Sequence, residues 1–350
     1  MKIAIIGAGI FGTTAAIKLA ESGFKVDLFE KEPDILQAAS GINQYRLHRG
    51  YHYPRSIETS LSSKRAEKSF RSEYAEALLD NDEHYYCVAK EESKVSKKEF
   101  LNFCDKCNLE YKETDLDFID PAMFQLVIRV KESLIDPIHL RKIVWQRLRL
   151  NKVNVVLGKL FSNKNINKYD LTINCSYANL NYILKDVPEA VRNYQFELCE
   201  KPILKLPRIF KRKSVVVMDG PFFCIDPYAD TDLHLMGNVV HALHRTNVGA
   251  FPEIPKEFKP LMNKGIIKNP PITNVPKFME VAKKFMPKIE GAKHIGSMYT
   301  IRTVLPNVDH TDERPTIVKK INDKIINVFS GKIGNCVETA EEVVRIVNKD

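Results

Sequence analysis

No apolar run in these 350 residues approaches the roughly 20 needed to span a bilayer, so a helical membrane protein is excluded. The N-terminal stretch also lacks the charged start and small-residue cleavage site of an exported chain, and a cytoplasmic location is expected. The seven cysteines (87, 104, 107, 175, 199, 224 and 336) are odd in number and scattered, which fits reduced thiols better than a disulfide framework. Cys104 and Cys107 form the single CxxC, with no second pair to complete a zinc site, so no metal is expected. No HExxH and no nucleophile elbow appears, which removes support for metal hydrolysis and serine chemistry. Internal repeats and low-complexity segments are absent too. The net charge of +9 has no concentrated source: lysines and arginines alternate with acids, as in KEESKVSKKEF (Lys90 to Phe100), and the one basic block, PRIFKRKS (Pro207 to Ser214), is short. Such a distribution points away from a nucleic-acid partner and suits an anionic small molecule.

What is present begins almost at the first residue. KIAIIG (Lys2 to Gly7) is a short, beta-branched apolar run ended by glycine and reads as a buried parallel strand. FGTTAAIKLAESG (Phe11 to Gly23) places Ala15, Ala16, Leu19 and Ala20 on one helical stripe, with Gly23 where a C-terminal cap belongs, and KVDLFEK (Lys25 to Lys31) is a second strand. Between the first strand and the helix lies GAGIFG. Gly7 permits the tight turn, Gly9 lets backbone amides approach a pyrophosphate, Gly12 lets the helix pack closely on the sheet, and Ile10 and Phe11 open the helix toward the anion. Glu30 closes the second strand, where a carboxylate accepts from both hydroxyls of a ribose and disfavours a 2'-phosphate. Strand, glycine motif, helix, strand and acid in this order predict dinucleotide binding; the spacing alone does not separate FAD from NAD.

Further along, Ser56 to about Asn81 is charged and helix-prone, and HYYCVAK (His84 to Lys90) reads as a strand. ESLIDPIHLRKIVWQRL starts a helix at an Asp-Pro pair, NVV begins another strand, and KYDLTINCS (Lys168 to Ser176) is one more buried strand. From Tyr194 to about Ile301, alternating segments separated by proline-rich loops predict a mostly antiparallel sheet with a helix near Lys277 to Met286. The chain then returns to strand, glycine loop and helix in KIINVFSGKIGNCVETAEEVVRIVNK. The expected fold class is α/β: a Rossmann-like domain from 1–83, 132–193 and 302–350, interleaved with an α+β substrate domain from 84–131 and 194–301.

Five stretches, in one order, resemble the D-amino-acid oxidase family of FAD-dependent oxidoreductases, which includes glycine oxidase, sarcosine oxidase and L-2-hydroxyglutarate dehydrogenase. They are the N-terminal motif down to Glu30 and Lys31, LHRGYHYP (Leu47 to Pro54), ESLIDPIHLRKIVWQRL, YDLTINCS, and NVFSGKIGNCVETAEEV. The resemblance implies FAD, with Lys31, Ser40, Gly41, Arg46, His48, Val155, Cys175, Ser176, Gly331, Lys332, Ile333 and Asn335 beside it in addition to the glycine motif. It implies non-covalent attachment, because SMYT places Ser297 where sarcosine oxidases carry the cysteine that bonds the flavin. Three positions depart from the family pattern: Tyr177 stands where a glycine is usual, and Lys332 and Gly334 stand where glycine oxidase has a histidine and an arginine.

The activity this implies is removal of a hydride from a small polar amine or 2-hydroxy acid. The alternatives are a flavin monooxygenase or modifying enzyme acting on a carrier- or sugar-linked substrate, and a flavoprotein-fold binding protein without catalysis. Arg302 is the candidate carboxylate clamp, since a guanidinium fork matches a carboxylate; the alignment leaves Tyr299 as its rival, and Tyr53 also faces the substrate. Lys332 places positive charge by the ring, and His48, with His52 behind it, is the candidate proton acceptor. His234, His241 and His244 do not converge as metal ligands from one strand, but are placed on the substrate sheet.

Overall fold

The computed structural model describes residues 1–306 and 314–349. Along the chain run β1 (Lys2–Ile6), α1 (Ile10–Glu21), β2 (Lys25–Phe29), β3 (Arg46–Leu47), α2 (Ile57–Tyr74), β4 (Leu78–Leu79), β5 (Glu83–Ala89), α3 (Lys97–Lys106), β6 (Tyr111–Glu113), β7 (Phe124–Val130), β8 (Ser133–Ile135), α4 (Pro137–Leu150), β9 (Asn154–Val156), β10 (Leu171–Asn174) and α5 (Leu180–Leu184). There follow β11 (Tyr194–Lys205), β12 (Lys213–Met218), β13 (Phe223–Pro227), β14 (His234–Asn238), β15 (Leu243–Gly249), α6 (Val275–Phe285), β16 (Lys293–Val304), β17 (Ile317–Asn322), β18 (Ile325–Phe329) and α7 (Cys336–Val347).

The first sheet has the order β17-β18-β10-β1-β2-β9. All its pairs are parallel except β17 on β18, and the central strands are buried on both faces, as the apolar run Ile3 to Ile6 requires. Helices α1, α4 and α7 lie against it through Ala15, Ala16, Leu19, Leu140, Val144, Val337, Ala340 and Val343. Local chemistry sets the helix starts. Asp136 caps α4 by accepting from the amides of Ile138 and His139 ahead of Pro137, and Ser56 caps α2 by accepting from Thr59. Gly23 ends α1 with φ +88°, a conformation glycine adopts freely.

The second sheet runs β15-β11-β14-β13-β12-β5-β7-β6, with β16 also paired to β11. It is antiparallel except where β5 meets β12 in parallel. A small sheet of β3, β8 and β4 ties Arg46 and Leu47 to Ser133 and Leu134. Thus the first sheet draws on the beginning, middle and end of the chain and the second on the stretches between. Strand β16 stays in the second sheet through Val304, so the boundary expected at 302 falls inside a strand, and residues 307–313 and 350 of that expected segment lie outside the described residues.

Candidate functional site

A cavity of about 1000 Å³ opens where the carboxyl ends of β1, β2 and β10 face the second sheet. At its floor the chain turns at Gly7 with φ +95°, and the β10 end presses so closely that a Cβ there would lie 2.6 Å from the Cys175 carbonyl oxygen. A Cβ at Gly12 would sit 1.9 Å from the Gly7 carbonyl oxygen. Only glycine permits either approach. The Ser40 hydroxyl accepts from the Ile10 amide at 2.9 Å. The amides of Gly9, Phe11 and Gly12 have no acceptor among the described residues, so the N-terminus of α1 presents unused donors to the cavity. Glu30 accepts from the amides of Ala8 (2.7 Å) and Glu32 (3.0 Å) and lines the same wall; burial, outweighing those two bonds, raises its pKa.

The opposite wall is the second sheet. Glu197, Cys199 and Lys201 alternate along β11 and face the cavity together, as the two-residue period of a strand dictates. Arg302 lies directly across from Glu197 in the β11–β16 register, and its Nε donates to the Glu197 carboxylate.

The segment His48 to Tyr53 forms a side wall. The rings of His48 and His52 stack at 4.9 Å, and Tyr53 meets both edge-on. His52 is open to the cavity yet deep in the protein: burial first, then His48 and Arg46, hold its pKa well below the usual histidine range. His48 Nδ1 has no hydrogen-bond partner and lies 3.7 Å from Glu132 Oε1. Behind it Glu132, wholly buried, accepts from Arg46 Nε (3.2 Å) and Nη2 (2.8 Å), from the Tyr86 hydroxyl (3.0 Å) and from the Arg49 amide (3.0 Å). Burial alone would raise its pKa, but Arg46, then His48, hold it well below the carboxylate range. Arg46 Nη1 also donates to Asp226 and Ser214, each at 2.7 Å.

The closing loop supplies Gly331 to Asn335. Lys332 Nζ donates to Ser63 at 2.8 Å and stands 3.6 Å above the centre of the Tyr53 ring; burial, then Arg314, push its pKa down to about 7. Tyr177 takes φ +52°, the left-handed region where a glycine is relaxed, and its hydroxyl accepts from the Thr303 amide at 2.9 Å. The departure from glycine at this position therefore stitches the β10 loop to β16.

Of the residues expected at the site, Gly7, Gly9, Ile10, Phe11, Glu30, Lys31, Ser40, Arg46, His48, Tyr53, Cys175, Ser176, Arg302, Gly331, Lys332, Ile333 and Asn335 line this one cavity. Arg46, however, spends four hydrogen bonds on Glu132, Asp226 and Ser214, so its role is to anchor the His48 segment. Gly12 and Gly41 support the loops from behind, Gly41 because a Cβ would lie 1.9 Å from the Leu36 carbonyl oxygen. Two placements differ from expectation. Val155 sits on β9 opposite Leu28 and packs into the helix-side core, away from the cavity. Tyr299 is fully buried on the other face of β16, its hydroxyl donating to the Ile272 carbonyl near Glu200, because the strand period turns it away from Arg302's neighbours in the cavity. Two of the three histidines are likewise spent elsewhere. His234 bonds the Phe210 carbonyl oxygen and His244 the Glu200 carboxylate, each at 2.8 Å, while the His241 amide donates to Asn238.

Residues 2–127 match the DAO family of FAD dependent oxidoreductases. That match takes in the N-terminal third of the chain and identifies an FAD-dependent oxidoreductase domain there. Among its relatives in sequence is the FAD-dependent monooxygenase kojA of Aspergillus flavus, 25% identical over 99% of this chain and 86% of that protein. The oxidoreductase fold is also that of glycine oxidase from Geobacillus kaustophilus, with a TM-score of 0.75 at 13% identity over 99% of this chain and 94% of that one. L-alpha-Glycerophosphate oxidase from Mycoplasma pneumoniae, solved with FAD bound, gives 0.75 at 15% identity over the same shares.

The oxidoreductase uses FAD, and the cavity suits it: unused amides for a pyrophosphate, a carboxylate at a ribose position, and positions where any Cβ would obstruct the approach. No helix among the described residues is long and apolar enough to cross a membrane. Lys201 and Glu197 escaped the sequence reading. Their trace is the spacing in YQFELCEKPILK, where Glu197, Cys199 and Lys201 recur every second residue.

Proposed function

We propose that this oxidoreductase removes a hydride from the carbon bearing the amine or hydroxyl of a small polar amine or 2-hydroxy acid. The observation that carries this reading is that the dinucleotide cradle and a ceiling of charged side chains open into one cavity. FAD, when bound, supplies the two-electron acceptor. Gly7, Gly9, Ile10 and Phe11 hold its pyrophosphate, Glu30 its ribose, and the loop of Lys332, Ile333 and Asn335 its pyrimidine end. Attachment without a covalent bond is supported at Ser297, whose hydroxyl is buried outside the cavity and donates to Glu200 at 2.6 Å. His48, with Nδ1 turned to Glu132, offers Nε2 to the substrate and takes the proton from its hydroxyl or amine. His52, kept neutral, adds no charge beside it. Lys201 and the paired Glu197 and Arg302 bound the substrate space from above.

The test is the visible spectrum of the purified protein before and after acid precipitation, followed by anaerobic mixing with a panel of amines and 2-hydroxy acids. Flavin bands that pass into the supernatant, and bleaching by at least one panel member, are expected. A yellow protein that no panel member bleaches refutes the reading. A monooxygenase is the second reading, favoured by the full-length likeness to kojA; in that case NADH or NADPH, and no panel member, bleaches the flavin.

A further inference from the structure

One cation in the ceiling of the cavity is neutralised by no group among the described residues. Lys201 lines the cavity from β11, and among the described residues its ammonium makes neither a hydrogen bond nor an ion pair. The carboxylates around it are spent: Glu197 on Arg302, and Asp226 on Arg46, Ser214 and Gln44. Its other neighbours are the thiols of Cys199 and Cys224, which burial keeps neutral. Burial and nearby Arg302 also lower the pKa of Lys201, the mark of a charge short of partners. A desolvated ammonium of this kind is unfavourable until an anion joins it.

Arg302, by contrast, already has its counter-ion in Glu197. Lys201 pairs in register with Met298, four residues before Arg302, so the two cations start roughly 13 Å apart along the strand. A small substrate's anionic group therefore meets one or the other, and of the two it is Lys201 that lacks a negative partner among the described residues.

We propose that Lys201 is the anchor for an oxyanion of the substrate, a carboxylate or a phosphate, and that Arg302 is not. This rests on reading the cavity as the flavin and substrate site. The charge of Lys201 then selects anionic substrates, and its place on the ceiling sets which carbon lies near His48.

The test titrates the purified holoprotein with sodium glycolate and, separately, with inorganic phosphate, for the wild type, Lys201→Met and Lys201→Arg. Binding is followed by the flavin spectrum and by calorimetry. The wild type is expected to bind one of the two probes, glycolate marking a carboxylate substrate and phosphate a phosphorylated one. Lys201→Met should weaken that probe by about tenfold or more, and Lys201→Arg by no more than about threefold. In parallel, acetic anhydride labelling of the wild type, read by peptide mass spectrometry, should show Lys201 protected by the bound probe; this keeps the outcome decisive if Lys201→Met fails to fold. Failure of both probes to bind the wild type overturns the proposal, as does binding that leaves Lys201 unprotected and is unchanged in Lys201→Met. A protein that holds no flavin refutes the function reading instead, and the calorimetric titration still decides the role of Lys201.

Discussion

Replacing Glu132 by glutamine removes one charge at nearly constant shape from the most heavily bonded carboxylate near the site. Four donors converge on it in the wild type: two from Arg46, one from Tyr86 and the Arg49 amide. A glutamine keeps one oxygen but turns an NH2 toward groups that themselves donate, so at least one pair of donors is left facing each other in a wholly buried site. Breaking a buried ion pair from one side costs about 3–5 kcal/mol, because the other charge stays behind uncompensated. For a chain of this length that is a fall in Tm of about 4–7 °C. Glu132 has a folded pKa held below its unfolded value, so its contribution is present above the ordinary carboxylate pKa and is lost as pH falls through the folded one. The wild type and Glu132→Gln should accordingly differ most at neutral pH and converge as the solution is acidified below about pH 4. Thermal unfolding of both proteins from pH 7 downward is the assay. A difference under about 1 kcal/mol at neutral pH, or one that stays constant on acidification, would show that the Arg46 cluster does not hold the His48 segment in the way described.

Three other outcomes are expected. Gly12→Ala drives a methyl to 1.9 Å from the Gly7 carbonyl oxygen, so the purified variant should carry little or no flavin per chain; a normal flavin ratio would contradict the cradle geometry. Glu30→Gln loses a charge-assisted acceptor at the ribose position, and the dissociation constant for FAD, measured by fluorescence quenching, should rise by about tenfold, with no change counting against that placement. Lys332 is cationic below about pH 7 and neutral above, so flavin reduction should slow as pH rises through about 7 in the wild type and be slow and flat in Lys332→Met. Because its folded pKa lies below the unfolded 10.5, wild-type stability should also gain on that variant as pH climbs from about 7 toward 10.5; the opposite slope in paired melting curves refutes the assignment.

The parts of the site that are local in the chain were legible in it. GAGIFG, the strand before it and Glu30 after it lie within about thirty residues, and each glycine answers to a contact of its own backbone. Arg302 was legible as a cation of the right shape but not as one already paired, since Glu197 reaches it only through a strand pairing that no local spacing encodes. Tyr299 was misplaced for the same reason: two residues of one short motif that differ by an odd number point to opposite faces of β16, and the face is set by what packs on it. Val155 fell on the core side because the β2–β9 register opposes it to Leu28. Lys201 left a weaker trace, since a charge alternating in a strand is usually a solvated face, and only the second wall of the cavity turns that face inward.

The threading of the first sheet has a consequence for synthesis. Strand β1 pairs with β10, and β10 with β18, so the turn at residues 7–12 leaves the ribosome long before its neighbours in the sheet exist. At roughly 5–20 residues per second, the N-terminal βαβ unit waits on the order of tens of seconds for Ile325–Phe329 and the helix that packs on α1. During that interval the edge of β1 and the apolar faces of Ala16 and Leu19 stay uncovered. A nascent chain of this topology is exposed to mispairing while it grows, and its yield in a cell should depend on elongation rate and on chaperones that shield the first hundred residues.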